Sequence, residues 1–303
     1  MKILIYGAGV IGCTYGWQLS KAGYDTTVLV RERKKEQIER DGINIHCTDF
    51  RYGKKKTGQA VFRPKVIDKL SPDNDFEYII VSVRNPHLKE VLPVLKHSAG
   101  KANILFFMNI LDFGEIDKYL SSKQYFVGFP FMVGGCKENG YINSIISGSK
   151  YSKTMLGELN GENSERVQAI ASAMESAGMK PFVSYQIKNW LIPHGVFIAA
   201  LSAGIIKAGG TMEAFIDNTK IVKDTIKDIR RGFQICAERG IDPRKEKVNK
   251  LYYLPLFISV PVVKKIFNDE VMRMMFDGYL KYSTEEVKKM LADIYGGGNL
   301  CNT

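Results

Sequence analysis

Gly7, Ala8, Gly9, Val10, Ile11 and Gly12 set three glycines at the spacing G-x-G-x-x-G, and that spacing suits one kind of chemistry. Gly7 permits a tight turn, Gly9 lets the backbone approach a pyrophosphate, and Gly12 lets a following helix pack closely on a sheet. The phosphates are then received by free N–H groups at the helix N-terminus. About twenty residues further on, a chain that reads NAD places an acid against the ribose 2′-hydroxyl. This one has Arg31, followed by Arg33, Lys34 and Lys35, with Glu32 the nearest acid, one position late. Cations there suit the 2′-phosphate of NADP, so NADP is the expected cofactor. Arg84 and Asn109 are further candidates by position, because each ends an apolar run and a doubly wound sheet gathers its ligand at such strand ends.

These residues need a frame, and the hydrophobic pattern describes one. The run 2–6 reads as a buried strand, 10–19 as a helix stopped at Gly23, and 26–30 as the next strand, which completes a βαβ unit. Beyond it, 43–47 alternates like a short strand, 50–56 is a polar basic turn, 59–67 reads as one extended piece and 71–75 as a loop. The continuous apolar run 78–83 suits a strand buried on both faces of a parallel sheet. Pro86 opens a helix to about 96, followed by a strand over 104–108, a helix over 114–120, a strand over 125–129 and a helix over 164–177. From about 186 the strand signals stop, and helical spacing recurs over 190–206, 212–239, 251–267, 269–281 and 283–294. Ser283 and Glu286 read as a capping box for the last of these, and 296–303 as a flexible tail. The expected fold is α/β: a Rossmann-type doubly wound domain over 1–185, then an all-helical domain over 186–303.

Composition sets the outer bounds. With 303 residues, 45% hydrophobic and 25% charged, the chain can build two ordinary globular cores. The most apolar stretch, 196–206, is too short and too rich in small residues to span a bilayer, and the N-terminus reads as a strand rather than a signal peptide. The expectation is a cytoplasmic protein with no membrane partner. Five cysteines, odd in number and without C-x-x-C spacing, read as reduced thiols, and the isolated His46, His87 and His97 give no reason to expect a metal. The net charge of +11 is spread over many segments, with clusters at 31–35, 54–56 and 244–250 and no nucleic-acid-binding motif. Anionic small molecules account for it, and nucleic acid is not expected. Met272, Met274 and Met275 near Phe276 suit a flexible core or an interface, and a homodimer through the helical part is the expectation.

Taken in order, the first 185 residues resemble the N-terminal domain of ketopantoate reductases, NADPH-dependent enzymes that reduce 2-dehydropantoate to pantoate. The resemblance rests on GAGVIG near the start, Arg31 after the second strand, a basic residue closing VSVR, Asn109 after ILFFM, and Leu156-Gly157-Glu158 before a helix. It implies that Gly7 to Gly12 and Arg31 hold NADP, that Arg84 and Asn109 line the nicotinamide and substrate end, and that the active site lies between the nucleotide domain and a helical one. In the family, lysine is usual at the position of Arg84, and glycine usually follows the asparagine where Ile110 stands here. The family also carries a catalytic lysine two residues after a tryptophan and an asparagine one turn later. Here Trp190 puts Ile192 and Val196 at those places. Neither can donate to an oxygen that gains charge as hydride arrives.

The nearest replacements are His194, one turn after Trp190, and Lys188, one turn before Ile192. His194 comes first, because burial in an apolar helix start can tune an imidazole near neutral pH. As plain structure, the two are a packed histidine and a solvent-facing lysine. The expected activity is hydride transfer from NADPH to a small anionic 2-oxo acid or related carbonyl other than ketopantoate. Asn109 then orients the substrate and Arg84 pairs with its carboxylate. A ketopantoate reductase with a relocated acid is one alternative, and a non-catalytic NADP-binding sensor or partner-binding module is another.

Overall fold

The apolar run Lys2–Tyr6 forms β1, with Ile3, Leu4 and Ile5 fully buried at the centre of a large sheet. A computed structural model of the chain describes residues 1–296; the rest of the expected tail, with Cys301, lies outside the described residues. The remaining strands are β2 (Asp25–Leu29), β3 (Ile43–Asp49), β4 (Lys56–Phe62), β5 (Lys65–Ile67), β6 (Tyr78–Val81), β7 (Asn103–Phe107), β8 (Tyr125–Pro130), β9 (Val133–Glu138), β10 (Tyr141–Ile146), β11 (Thr154–Gly157) and β12 (Pro181–Val183). The helices are α1 (Val10–Lys21), α2 (Glu32–Asp41), α3 (Leu88–Ser98), α4 (Gly114–Asp117), α5 (Glu165–Ser176), α6 (Ile187–Lys207), α7 (Met212–Asp217), α8 (Thr219–Glu238), α9 (Leu256–Phe267), α10 (Glu270–Leu280) and α11 (Thr284–Tyr295). The chain divides into two units, Met1–Asn109 with Phe113–Ile187, and Ile110–Asp112 with the chain from Lys188 onward.

In the first unit the order β12-β11-β8-β7-β6-β1-β2-β5 places β1 between β2 and β6, and the strands from β8 to β5 run parallel. This is the doubly wound arrangement, and the point where strand order reverses lies between β1 and β6. A second sheet, β4-β3-β10-β9, carries α1 on its face. That sheet departs from the sequence reading. The piece 59–67 is two strands in different sheets, broken at Arg63 and Pro64, because proline donates no ladder hydrogen bond. The strand at 43–47 runs on to Asp49, and β9 and β10 had no counterpart in the hydrophobic pattern.

In the second unit, α6 and α8 approach closely through glycines. A Cβ on Gly204 would fall 2.1 Å from Thr225 Oγ1, and one on Gly232 would fall 2.4 Å from Val196 Cγ1. Opposite numbering directions make this pair antiparallel. The intimacy explains why α6 is apolar nearly all round: it is a core helix. At 21 residues it is long and apolar enough to cross a membrane by length and composition, which corrects the reading from 196–206 alone, and most of its apolar window is buried within the fold. Gly232→Ala is expected to destabilise the protein by about 1–3 kcal/mol through overpacking, and Val196→Ala in the same chain to recover part of that. Urea unfolding of the two single variants and the double variant checks this; additive losses would show that the two positions do not touch.

Three helical expectations are corrected. The run 212–239 is two helices, because extended Asn218 turns its Oδ1 to the Ile221 N–H at 3.1 Å and caps α8 anew. The run 251–267 splits into a 3-10 turn, Lys247–Tyr253, and α9, separated at Pro255. Ser283 does not form the capping box: its hydroxyl donates to the Tyr279 carbonyl at 2.6 Å, and no side-chain cap serves α11.

Candidate cofactor and active site

Four neighbouring strand ends hold the candidates of the first unit. In spatial order they are Asn109 after β7, Ser82 and Arg84 after β6, Gly7 after β1 and Arg31 after β2. At the usual strand spacing they cover about 14 Å. Gly7 has φ +120°, which an L side chain rarely adopts, and turns the chain off β1 toward α1. Gly12 is buried where a Cβ would lie 2.2 Å from the Gly7 carbonyl oxygen, 2.4 Å from Ser82 Oγ and 2.8 Å from Ile5 Cγ2. Its missing side chain is what lets α1 sit down on β1.

Gly9 is a different case. Its backbone is extended, at φ −90° and ψ −174°, and a Cβ there would meet nothing within 4 Å. The fold by itself does not require glycine at position 9. Gly9 precedes the first turn of α1, which has no side-chain cap and no acidic residue, so positive N–H groups face an open approach. An extended diphosphate fits that cradle.

Sequence reasoning missed Ser82, which ties the loop to the sheet. Its N–H donates to the Tyr6 carbonyl at 3.0 Å and its hydroxyl to the Gly7 carbonyl at 3.2 Å. A small hydroxyl residue at the strand end beside the glycine turn was the available signal. Asn85 was missed too: it is buried, and its Nδ2 donates to the Asn109 carbonyl at 3.0 Å, which fixes the end of β7.

Arg31 is exposed and forms the extended N-cap of α2. Within the basic cluster, Lys34 reaches Gln37 Oε1 at 2.9 Å and Lys35 reaches Asp68 Oδ1 at 3.3 Å. Glu32 sits in the first turn of α2, where its charge complements the helix terminus. Arg84 is exposed before the 3-10 turn Asn85–His87, whereas Asn109 is buried.

In the second unit, the start of α6 carries the other candidates. Lys188 is exposed, and Ile192 packs half-buried against the helical core. Val196 is buried against the notch at Gly232. His194 lies in an aromatic stack, its ring 4.5 Å from that of Trp190 at 16° and 6.1 Å from that of Phe197. Burial pushes its pKa down to about 3, so the expectation of an imidazole tuned near neutrality is corrected. At physiological pH the ring is neutral, able to donate one hydrogen bond but unable to act as an imidazolium acid.

A depressed histidine pKa has a sign. Below its ordinary value of 6.5 the unfolded chain takes up a proton that the folded one refuses, so stability falls as pH drops from about 6.5 toward about 3. His194→Phe keeps an aromatic ring and removes the titration. The wild type is expected to lose up to about 2 kcal/mol more than this variant between pH 7 and pH 5. Urea midpoints at the two pH values measure it, and equal losses would place His194 outside this account.

The profile of the ketopantoate reductase PanE/ApbA family matches residues 3–160. Over 207 residues the chain is 27% identical to the uncharacterised oxidoreductase YkpB of Bacillus subtilis (strain 168), covering 68% of this chain and 64% of that protein, just under two thirds of its length. Over 250 residues it is 22% identical to the 2-dehydropantoate 2-reductase of Pyrococcus abyssi (strain GE5 / Orsay), covering 80% of this chain and 76% of the relative. A ternary structure of D-mandelate dehydrogenase with NADH and anilino(oxo)acetate has a similar fold, with TM-score 0.69, 14% identity and 98% of each chain covered.

Proposed function

Since this chain belongs to the ketopantoate reductase PanE/ApbA family, we propose that it is an NADPH-dependent reductase of a small anionic 2-oxo acid or related carbonyl other than ketopantoate. The observation that carries the proposal is Gly9, a glycine that the fold does not need, at the uncapped start of α1. Bound NADPH would supply the hydride. Gly7, Ala8, Gly9, Val10, Ile11 and Gly12 would bind its diphosphate, and exposed Arg31 would pair with the 2′-phosphate. Asn109 would orient the carbonyl and Arg84 would pair with the substrate carboxylate. The substrate class is supported by 2-dehydropantoate, named for a sequence relative, and anilino(oxo)acetate, named with a dehydrogenase of similar fold, which both carry an oxo group beside a carboxylate. On the helical side, neutral His194 would donate a hydrogen bond to the carbonyl oxygen, and Lys188 would be the cation able to release a proton.

The test is a panel of 2-oxo acids and aldehydes screened for NADPH oxidation, followed by His194→Ala and Lys188→Ala on any hit. Turnover unchanged in both variants, with NADPH affinity intact, would discard this assignment. Arg31→Ala is expected to weaken NADPH by about tenfold or more while leaving NADH nearly unchanged, since a charge-assisted contact is worth about 1.5–3 kcal/mol. Calorimetric titration of both cofactors measures it; equal affinities in the wild type would remove the NADP assignment.

The same proposal has the protein work in the cytoplasm as a homodimer through its helical unit, where Met272, Met274 and Met275 are only half-buried on α10. Light scattering that gave the mass of a single copy would remove the dimer. A second reading, a non-catalytic NADP-binding sensor, is favoured by one observation: Val196 serves helix packing rather than polar chemistry. NADPH binding without turnover across the whole panel would select it.

A further inference from the structure

The charge that the sequence spreads along the chain is partly gathered by the fold. Two loops of the first unit, 50–55 after β3 and 147–153 after β10, run against each other: a Cβ on Gly148 would fall 1.9 Å from the Phe50 carbonyl oxygen. Lys180 clamps the second loop from β12's approach, its Nζ donating to the Gly148 carbonyl at 3.2 Å. Arg51 anchors the first, pairing with Asp49 at 2.7 Å and donating to the carbonyls of Ala177 and Gly178 and to Gln18 Oε1. Buried Ser147 and Ser152 join hydroxyls at 2.9 Å and stiffen the second loop.

This framework displays two tyrosines, Tyr52 at 66% exposure and Tyr151 at 65%. Each carries an ammonium over its ring, Lys56 at 5.3 Å from Tyr52 and Lys150 at 5.1 Å from Tyr151. Lys54, two residues after Tyr52 in the first loop, is an exposed cation. Cofactor phosphates do not account for this surface. Arg51 is tied to Gln18 near the end of α1, eight residues beyond Val10 at its start, or about 12 Å along the helix from the glycine turn.

We propose that this platform binds single-stranded nucleic acid without sequence preference. Cations track a phosphate backbone, and exposed aromatic rings stack bases whatever their identity. The loops are held in place before any ligand arrives, which lowers the ordering cost of binding. Phosphates alone would need only the lysines; the rings are what select a strand with free bases. A bilayer fits less well, because the loops 50–55 and 147–153 contain no aliphatic or tryptophan side chain to insert, and their one phenylalanine, Phe50, is half-buried. The sequence reading set nucleic acid aside for want of a motif, and this mode uses none.

The test is fluorescence anisotropy with a fluorescein-labelled dodecamer of deoxythymidine, with saturating NADPH present, over a range of salt concentrations. Saturable micromolar binding at about 0.1 M salt is expected, with a log–log salt slope reflecting several phosphates at about 0.7 each. Lys54→Ala, Lys56→Ala and Lys150→Ala together should reduce that slope by about 2. Tyr52→Ala with Tyr151→Ala should weaken binding about tenfold or more and leave the slope unchanged. Binding unaltered by either set would overturn the proposal. So would absence of oligonucleotide binding, whether or not the protein sediments with vesicles containing phosphatidylserine; vesicle binding lost in the lysine variant would reassign the surface to lipid.

Discussion

With ketopantoate and NADPH, this protein is expected to turn over at least about 10²-fold more slowly than a reductase that keeps the lysine and asparagine of the family, each such group being worth about 10² to 10⁴. The reduction places negative charge on an oxygen, and Ile192 and Val196 offer that oxygen nothing. Their surroundings separate the two positions. Ile192 is half-buried, so Ile192→Lys can keep its stem on the apolar surface and carry its ammonium into water. That variant is expected to gain ketopantoate turnover by about tenfold or more. Val196 is buried against Gly232, so Val196→Asn should instead destabilise the helical unit, because an amide without partners there costs about 1–3 kcal/mol. Absorbance at 340 nm with ketopantoate, with urea unfolding alongside, measures both effects. Wild-type activity matching ordinary ketopantoate reductases would show that the proton reaches the substrate without position 192.

Gly9→Ala and Gly12→Ala should separate folding from binding. Gly9 has extended backbone and open space at its Cβ position, so alanine there is expected to shift apo stability by no more than about 0.5 kcal/mol. The new methyl would occupy the approach to the helix N-terminus, and losing one or two charge-assisted hydrogen bonds should weaken NADPH by about 10- to 100-fold or more. At Gly12 a Cβ meets the Gly7 carbonyl and Ser82 at well under contact distance, backed by sheet. That variant should lose about 1–3 kcal/mol or more of stability together with NADPH affinity, since α1 must lift from β1. Thermal melts and calorimetric titrations distinguish the two. NADPH affinity unchanged in Gly9→Ala would mean that no phosphate lies against that backbone.

The sequence by itself determined the features that are local or periodic. Three glycines at fixed spacing after a short apolar run dictate a strand, a turn and a helix, because the conformation of Gly7 and the packing of Gly12 depend on near neighbours. Arg31 was legible because it lies just past the second strand, and the strand read at 78–83, which in the fold ends at Val81, because a strand buried on both faces shows no alternation. Only the tertiary structure decided whatever depends on what lies across from a residue. The glycine-containing strand β9 pairs with β10, which in turn pairs with β3 about a hundred residues earlier in the chain, and no local pattern encodes such a partner. His194 could be read from its helix as tunable; the rings of Trp190 and Phe197 and the burial around it set it neutral. Val196 became a packing residue only through Gly232 on another helix. The basic loops 50–55 and 147–153, separate in sequence, meet because Gly148 lets their backbones touch, and a charge acts through distance in space rather than along the chain.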